Sequence, residues 1–116
     1  MSQQLTSFRL PFLPMRLEVH QQIYEEEARL DTGFDGGIAM PPSYLAGLEP
    51  EWYQRWTLAD GSQVPASVYR GIVRLGAFEP IPVLVVAIGE EYIIGLGILN
   101  RFAVTFDHGE QVILSA

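Results

Sequence analysis

The sequence contains no cysteine, which excludes disulfide bridges and thiolate metal centres and fits a reducing compartment. Basic residues are scarce. Seven stand against fourteen acids, the formal net charge is −7, and the basic residues are scattered. A phosphate backbone would be repelled by such a chain, so no nucleic-acid partner is expected. Long apolar runs are missing too. The longest, IPVLVVAI at residues 81–88, has the length of a strand and falls short of the roughly 18 residues that cross a bilayer. No membrane association is expected. The opening MSQQLTSFRLPFLPMRL lacks a basic segment followed by an uninterrupted apolar one, and prolines break it. It therefore reads as no secretory signal, and the expected location is cytoplasmic. Hydrophobic residues make up 48% and charged residues 18% of the 116 positions. That is the composition of a globular chain, at the length of one domain with a modest core.

Strand-like patterns dominate what is present. MRLEVHQQ (15–22) alternates Leu17 and Val19 against Arg16, Glu18 and His20, and YEEEARLD (24–31) places Ala28 and Leu30 on one face. The period of two predicts a hairpin that ends at Asp31, with Glu25, Glu26 and Glu27 as its solvated end. In MPPSYLAGL (40–48), Pro42 suits a first helical position and Gly47 a stop, which predicts one short helix. Asp60-Gly61 separates two strand-like runs between Trp52 and Leu75 and signals a hairpin turn. A further strand is expected over 83–88, a strand leading through glycines into a helical turn over 92–102, and a last hairpin around His108-Gly109. Gly71 and Gly76 read as a bulge and a turn. The expected fold class is all-β, a small closed β-barrel with one or two short helices.

One residue does not fit a plain barrel. Asp31 closes an apolar strand, where an unpaired ionised carboxylate is costly, and ARLDTGFDGGIAM follows it with Gly33, Gly36 and Gly37. Thr32 supplies a hydroxyl, and Gly33 permits close approach and an amide hydrogen bond to the acid. Average usage gives Asp-Thr-Gly by chance in about 2% of chains this long, and turns built from the same residues are common. The tripeptide alone leaves catalysis and a plain turn both open.

Taken with the hairpin LADGS and the later strand end IIGLGILNRF, in that order, RLDTGFDG resembles the retropepsin-like aspartic proteases, in particular their cellular, non-viral members. The resemblance runs from about Met15 to near the C-terminus. It implies a closed acid-protease barrel over 15–116, with 1–14 as a tail, an inhibitory segment or an interface strand. It also implies a homodimer, because only one Asp-Thr-Gly is present and the family's site needs two. The implied activity is aspartic endopeptidase action on a peptide or protein substrate without metal or cofactor. Asp31 would be the catalytic acid, Thr32 a hydroxyl bonded across the two-fold axis, and Gly33 the close-approach residue. Asp35 and Gly36 would line the cleft, and Ala59, Asp60 and Gly61 would form the flap over the substrate. Ile93, Ile94 and Gly95 would pack beneath the catalytic loop.

Some positions depart from the family pattern. Arg29 stands where a bulky apolar residue is usual, and Leu96 stands where viral members carry an arginine that pairs with the acid after the tripeptide. Asp35 would then need Arg29 or Arg101 as its partner. These departures keep open an alternative, a catalytically silent dimerisation or peptide-binding module; a plain ligand-binding barrel would leave Asp31 unexplained. Trp52, Tyr53 and Trp56 could line a specificity pocket or pack in the core or an interface. His20 and His108 have no second ligand at metal spacing and read as exposed strand or turn residues.

Overall fold

A computed structural model describes residues 3–116. Ten strands carry the chain: β1 (Gln4–Ser7), β2 (Phe12–Val19), β3 (Gln22–Leu30), β4 (Ile38–Met40), β5 (Trp52–Thr57), β6 (Gln63–Arg74), β7 (Ile81–Ala87), β8 (Ile93–Ile94), β9 (Ala103–Asp107) and β10 (Gln111–Ser115). A 3-10 turn at Pro42–Leu45 and one helical turn, α1 (Leu96–Leu99), are the only helical pieces among the described residues. Strands run in the order β2-β3-β8-β4-β7-β6-β5, and β2 pairs again with β6. That second pairing closes six strands into a barrel and leaves β5 outside as a free edge. A separate three-stranded sheet, β1-β10-β9, joins the two ends of the chain.

The alternation in β2 does what its pattern dictates. Leu13, Met15, Leu17 and Val19 point into the barrel and the residues between them point out, because successive strand side chains face opposite ways. Leu17 lies opposite Tyr24 on β3 and Val73 on β6, so it sits on the seam where the barrel closes. Ala28 and Leu30 from β3, Ile38 and Met40 from β4, Val85 from β7 and Ile94 from β8 complete this core with Ile98 and Leu99. Leu45 of the 3-10 turn is buried at 1% exposure and caps it.

Two local expectations are corrected. The β2–β3 hairpin turns at His20 and Gln21, both at positive φ, so Glu25, Glu26 and Glu27 are not its end. They lie mid-strand opposite Arg16, Met15 and Pro14, with Glu25 and Glu26 both exposed. Gly71 is no bulge, since the register runs unbroken through it to β7 and in step up to it to β2, where Val19↔Gly71 is the last pair. A Cβ there would lie 2.9 Å from the Glu18 carbonyl oxygen, so glycine is required where β6 is flanked by strands left and right. Trp52 and Tyr53 stand outside the core, Tyr53 at 70% exposure.

Candidate active site

The order β3-β8-β4 sets the site. β8 runs parallel to β3 and antiparallel to β4, so the connection over residues 31–37 must cross the end of β8 to reach its far side. It crosses where β8 gives way to Gly95. Gly95 N donates to Gly37 O at 2.8 Å, Leu96 N to Phe34 O at 2.8 Å, and Gly97 N to Gly36 O at 2.9 Å. On the entry side Asp31 N donates to Ile94 O at 3.0 Å. The backbone of the loop is therefore held along its length.

The glycines of this loop make room. A Cβ on Gly95 would lie 2.4 Å from Gly36 O and 2.5 Å from both the carbonyl oxygen and the ring of Phe34. A Cβ on Gly36 would meet the same ring at 2.5 Å and the Trp56 ring at 3.1 Å. The Phe34 ring lies against both glycines, and Trp56 of β5 stacks on it with 5.2 Å between centroids and a 42° tilt. Phe34 is a functional-site residue that the sequence reading missed; its signal was the glycines around it.

At the head of the loop the Gly33 amide donates to Asp31 Oδ1 at 2.8 Å, so the carboxylate is partly oriented by its own turn. Asp31 is half-buried and Thr32 and Gly33 are exposed. With Phe34, Asp35 and Trp56 they line a cleft of about 650 Å³, a size usual for ligand sites, roughly 300–1,000 Å³. Leu58 and Ala59, from the hairpin between β5 and β6, line it too, as do Ile88, Gly89 and Ile93. The hairpin tip is a loop over residues 58–62 rather than a two-residue turn: Leu58 N donates to Ser62 O at 2.8 Å and Gly61 N to Leu58 O at 2.9 Å. Asp60 is turned back into this tip, accepting from Ser62 Oγ at 2.5 Å and Ser62 N at 2.9 Å. Those bonds, the hydroxyl's first, hold its carboxyl below the usual range. Gly61 takes the positive φ of +87° that the tip needs.

A second cleft of about 420 Å³ adjoins the first and shares Asp35, Gln54 and Trp56 with it. Gly36, Gly37, Val68, Val83 and Leu84 are among its other lining residues. The Trp56 indole nitrogen is buried here with no hydrogen-bond partner among the described residues, an omission that costs about 1–3 kcal/mol. A larger groove, about 910 Å³, lies elsewhere, against the outer face of β2 and β3. It contains the Arg9–Glu27 and Arg16–Glu25 pairs and shares no lining residue with the Asp31 cleft.

Neither expected partner of Asp35 takes that role. Arg29 is bound to Glu91, whose hydrogen bond, ahead of the Glu91 and Asp31 charges, holds the guanidinium above its ordinary value. Arg101 makes no ion pair among the described residues. His20 and His108 are exposed turn residues, and no group of three or more histidine, cysteine, aspartate or glutamate side chains among the described residues could hold a metal ion. No helix among the described residues is long and apolar enough to cross a membrane.

Comparison with solved structures decides the architecture. A retropepsin-like aspartic protease from Rickettsia conorii superposes with a TM-score of 0.63 at 20% identity, over 99% of this chain and 90% of that one. The fold is that of the retropepsin-like aspartic proteases. The protease of Simian Foamy Virus (mac) matches over 75% of this chain and 91% of its own, with a TM-score of 0.51 and 15% identity. A foamy viral protease-reverse transcriptase solved with an RNA/DNA hybrid matches over 80% of this chain and 12% of its own length, with a TM-score of 0.57 and 18% identity. No protein-family model matches the sequence, and no curated protein matches it significantly. Within the retropepsin-like fold, the Asp31 loop lies between β3 and β4 and the 58–62 hairpin faces the same cleft.

Proposed function

We propose that the chain is an aspartic endopeptidase that works as a homodimer, with Asp31 from each copy at the two-fold axis. The observation that carries this reading is a half-buried carboxylate, oriented by the Gly33 amide, in the wall of a cleft also lined by the hairpin residues Leu58 and Ala59. Proteases of the same fold support it. One chain supplies one such acid, and general acid–base hydrolysis of an amide needs a base and an acid together.

Two carboxylates about 3 Å apart do not both ionise, so the pair shares one proton. The ionised member takes a proton from a water held between them, and that water attacks the scissile carbonyl. The protonated member donates to the carbonyl oxygen, and a proton then passes to the leaving nitrogen as the C–N bond breaks. No covalent intermediate forms. Thr32 acts as the hydroxyl bonded across the axis and Gly33 as the close-approach residue, while Asp35 and Gly36 line the substrate path. Ala59, Asp60 and Gly61 form the flap, whose backbone adds a strand-like edge to an extended peptide. The protease domain comprises 15–116 together with the start of β2, Phe12–Pro14, whose Leu13 lies in the barrel core, and β1 within 1–14 binds the chain's own C-terminal strand through the register Gln4↔Ser115 to Ser7↔Val112.

The test is Asp31→Asn. Cleavage of a mixed peptide library is expected to fall by at least about 10²–10⁴-fold, the size of a lost general acid–base group, with circular dichroism and melting unchanged. Sedimentation of the wild type should show a dimer under assay conditions. Undiminished cleavage by Asp31→Asn, with contaminating proteases excluded, would overturn the reading. A folded wild type that stays monomeric, binds peptides and cleaves none would instead favour the silent peptide-binding module, to which the unpaired Asp35 and Leu96 point.

A further inference from the structure

Asp35 has no ion-pair partner among the described residues. It is exposed, and it lines both the Asp31 cleft and the outer cleft beside it. The two clefts differ in charge. The inner one also holds Arg55, whereas Asp35 is the only charged residue lining the outer one. The rest of that outer wall is apolar or glycine, apart from Gln54 and the indole of Trp56. Leu84 there is 40% exposed although it belongs to a central strand.

A single carboxylate in an apolar slot has a definite complement. A long basic side chain lays its methylene stem along apolar surface and keeps its charge at the end. A fully apolar side chain would desolvate the carboxylate without pairing it, and an acidic one would be repelled. We propose that the outer cleft selects a lysine or arginine side chain of the peptide substrate, its stem against Trp56 and Val83 and its cation on the Asp35 carboxylate. This deepens the protease reading and rests on it. The chain's own arginines do not compete from within the slot. Arg9, Arg16, Arg29 and Arg70 are engaged by glutamates, and Arg55 stands on the inner side.

The experiment compares matched fluorogenic peptides that differ at one residue, scanned through each position around the scissile bond, with arginine, lysine, methionine or glutamate there. The wild type is expected to prefer the basic residues over methionine by about tenfold in kcat/KM at one position, the equivalent of about 1.4 kcal/mol, with glutamate worst. In Asp35→Asn the ratio of basic to methionine substrate should fall toward one, and in Asp35→Lys it should invert in favour of glutamate. Because the readout is a ratio on a single variant, a general loss of activity cancels. In parallel the same peptides are titrated against Asp31→Asn, following the tryptophan fluorescence of a Trp52→Phe version, where tighter and salt-sensitive binding of the basic peptides is expected. Cleavage with a flat ratio at every position overturns the Asp35 assignment and leaves the protease reading standing. Absence of cleavage overturns the protease reading, and the binding titration then decides Asp35 alone: basic preference supports it, and equal binding or none overturns it.

Discussion

Gly95→Ala isolates the contact on which the site loop depends. Gly95 has φ −105° and ψ −172°, an extended conformation open to any residue, so the substitution carries no backbone strain of its own. All of its cost is steric. The new methyl carbon would lie 2.4 Å from Gly36 O and 2.5 Å from Phe34 O, against an ordinary contact of 3.4 Å or more. The loop must therefore retreat by about 1 Å, and bonds now at 2.8 Å (Leu96 N to Phe34 O) and 2.9 Å (Gly97 N to Gly36 O) would stretch beyond the roughly 3.2 Å limit of a hydrogen bond. Two net hydrogen bonds at about 0.5–1.5 kcal/mol each and overpacking of about 1–3 kcal/mol give a destabilisation of about 4 kcal/mol. That is a large fraction of the roughly 5–15 kcal/mol a domain possesses. The melting point should fall by about 15 °C, at roughly 4 °C per kcal/mol. Urea unfolding followed by tryptophan fluorescence reads the free energy. Gly47→Ala is the control, because Gly47 faces open space but sits at φ +84°; there only the left-handed penalty of about 1–2 kcal/mol applies. If Gly95→Ala loses no more than Gly47→Ala, the loop is not clamped on the end of β8 as the geometry requires.

Leu17 is fully buried at the barrel seam, and Leu17→Ala should cost about 2–5 kcal/mol in urea unfolding through transfer and cavity terms; a loss below 1 kcal/mol would mean that the seam collapses around the gap. Tyr92 titrates upward, chiefly because burial disfavours its phenolate, with the charge of Glu26 adding to the effect. Unfolded tyrosine releases its proton near pH 10 while folded Tyr92 keeps it, so the contribution of Tyr92 to stability should be level below about pH 10 and decline as pH rises through and beyond that point. Tyr92→Phe should flatten that decline in a pH series of urea melts, and an unchanged slope would refute the assignment to Tyr92.

Much of the barrel was readable because local signals and burial agree along the chain. Apolar alternation located β2, Asp60-Gly61 marked the hairpin tip, and Gly95 separated β8 from the helical turn. The misreadings fall where the deciding partner is distant. His20-Gln21 makes the β2–β3 turn at positive φ without glycine or asparagine, so the residues gave no turn signal, and pairing of Phe12–Val19 with Gln22–Leu30 fixed its place. Gly71 looked like a bulge because a lone glycine in a strand usually weakens pairing; its neighbours on β2 and β7 make it a spacing requirement instead. The resemblance gave Asp35 an arginine to seek, but Leu96 offers none, and Glu91 had already claimed Arg29.

The glycines after Asp31 invite a reading as flexibility, and the structure argues the opposite. Gly36 and Gly95 are flanked so closely that a methyl group would force the Phe34 ring or the loop backbone to shift, and the space they leave is occupied by Phe34, on which Trp56 of the hairpin strand rests. The acid loop, the end of β8 and the root of the hairpin thus form one packed unit whose contacts span residues 34, 36, 56 and 95. In such a unit the orientation of Asp31 and the height of the hairpin above it are not independent. Truncating Phe34 or displacing Gly95 changes both together, and Asp35, within the same loop, keeps its place in the outer cleft only while that stack is intact.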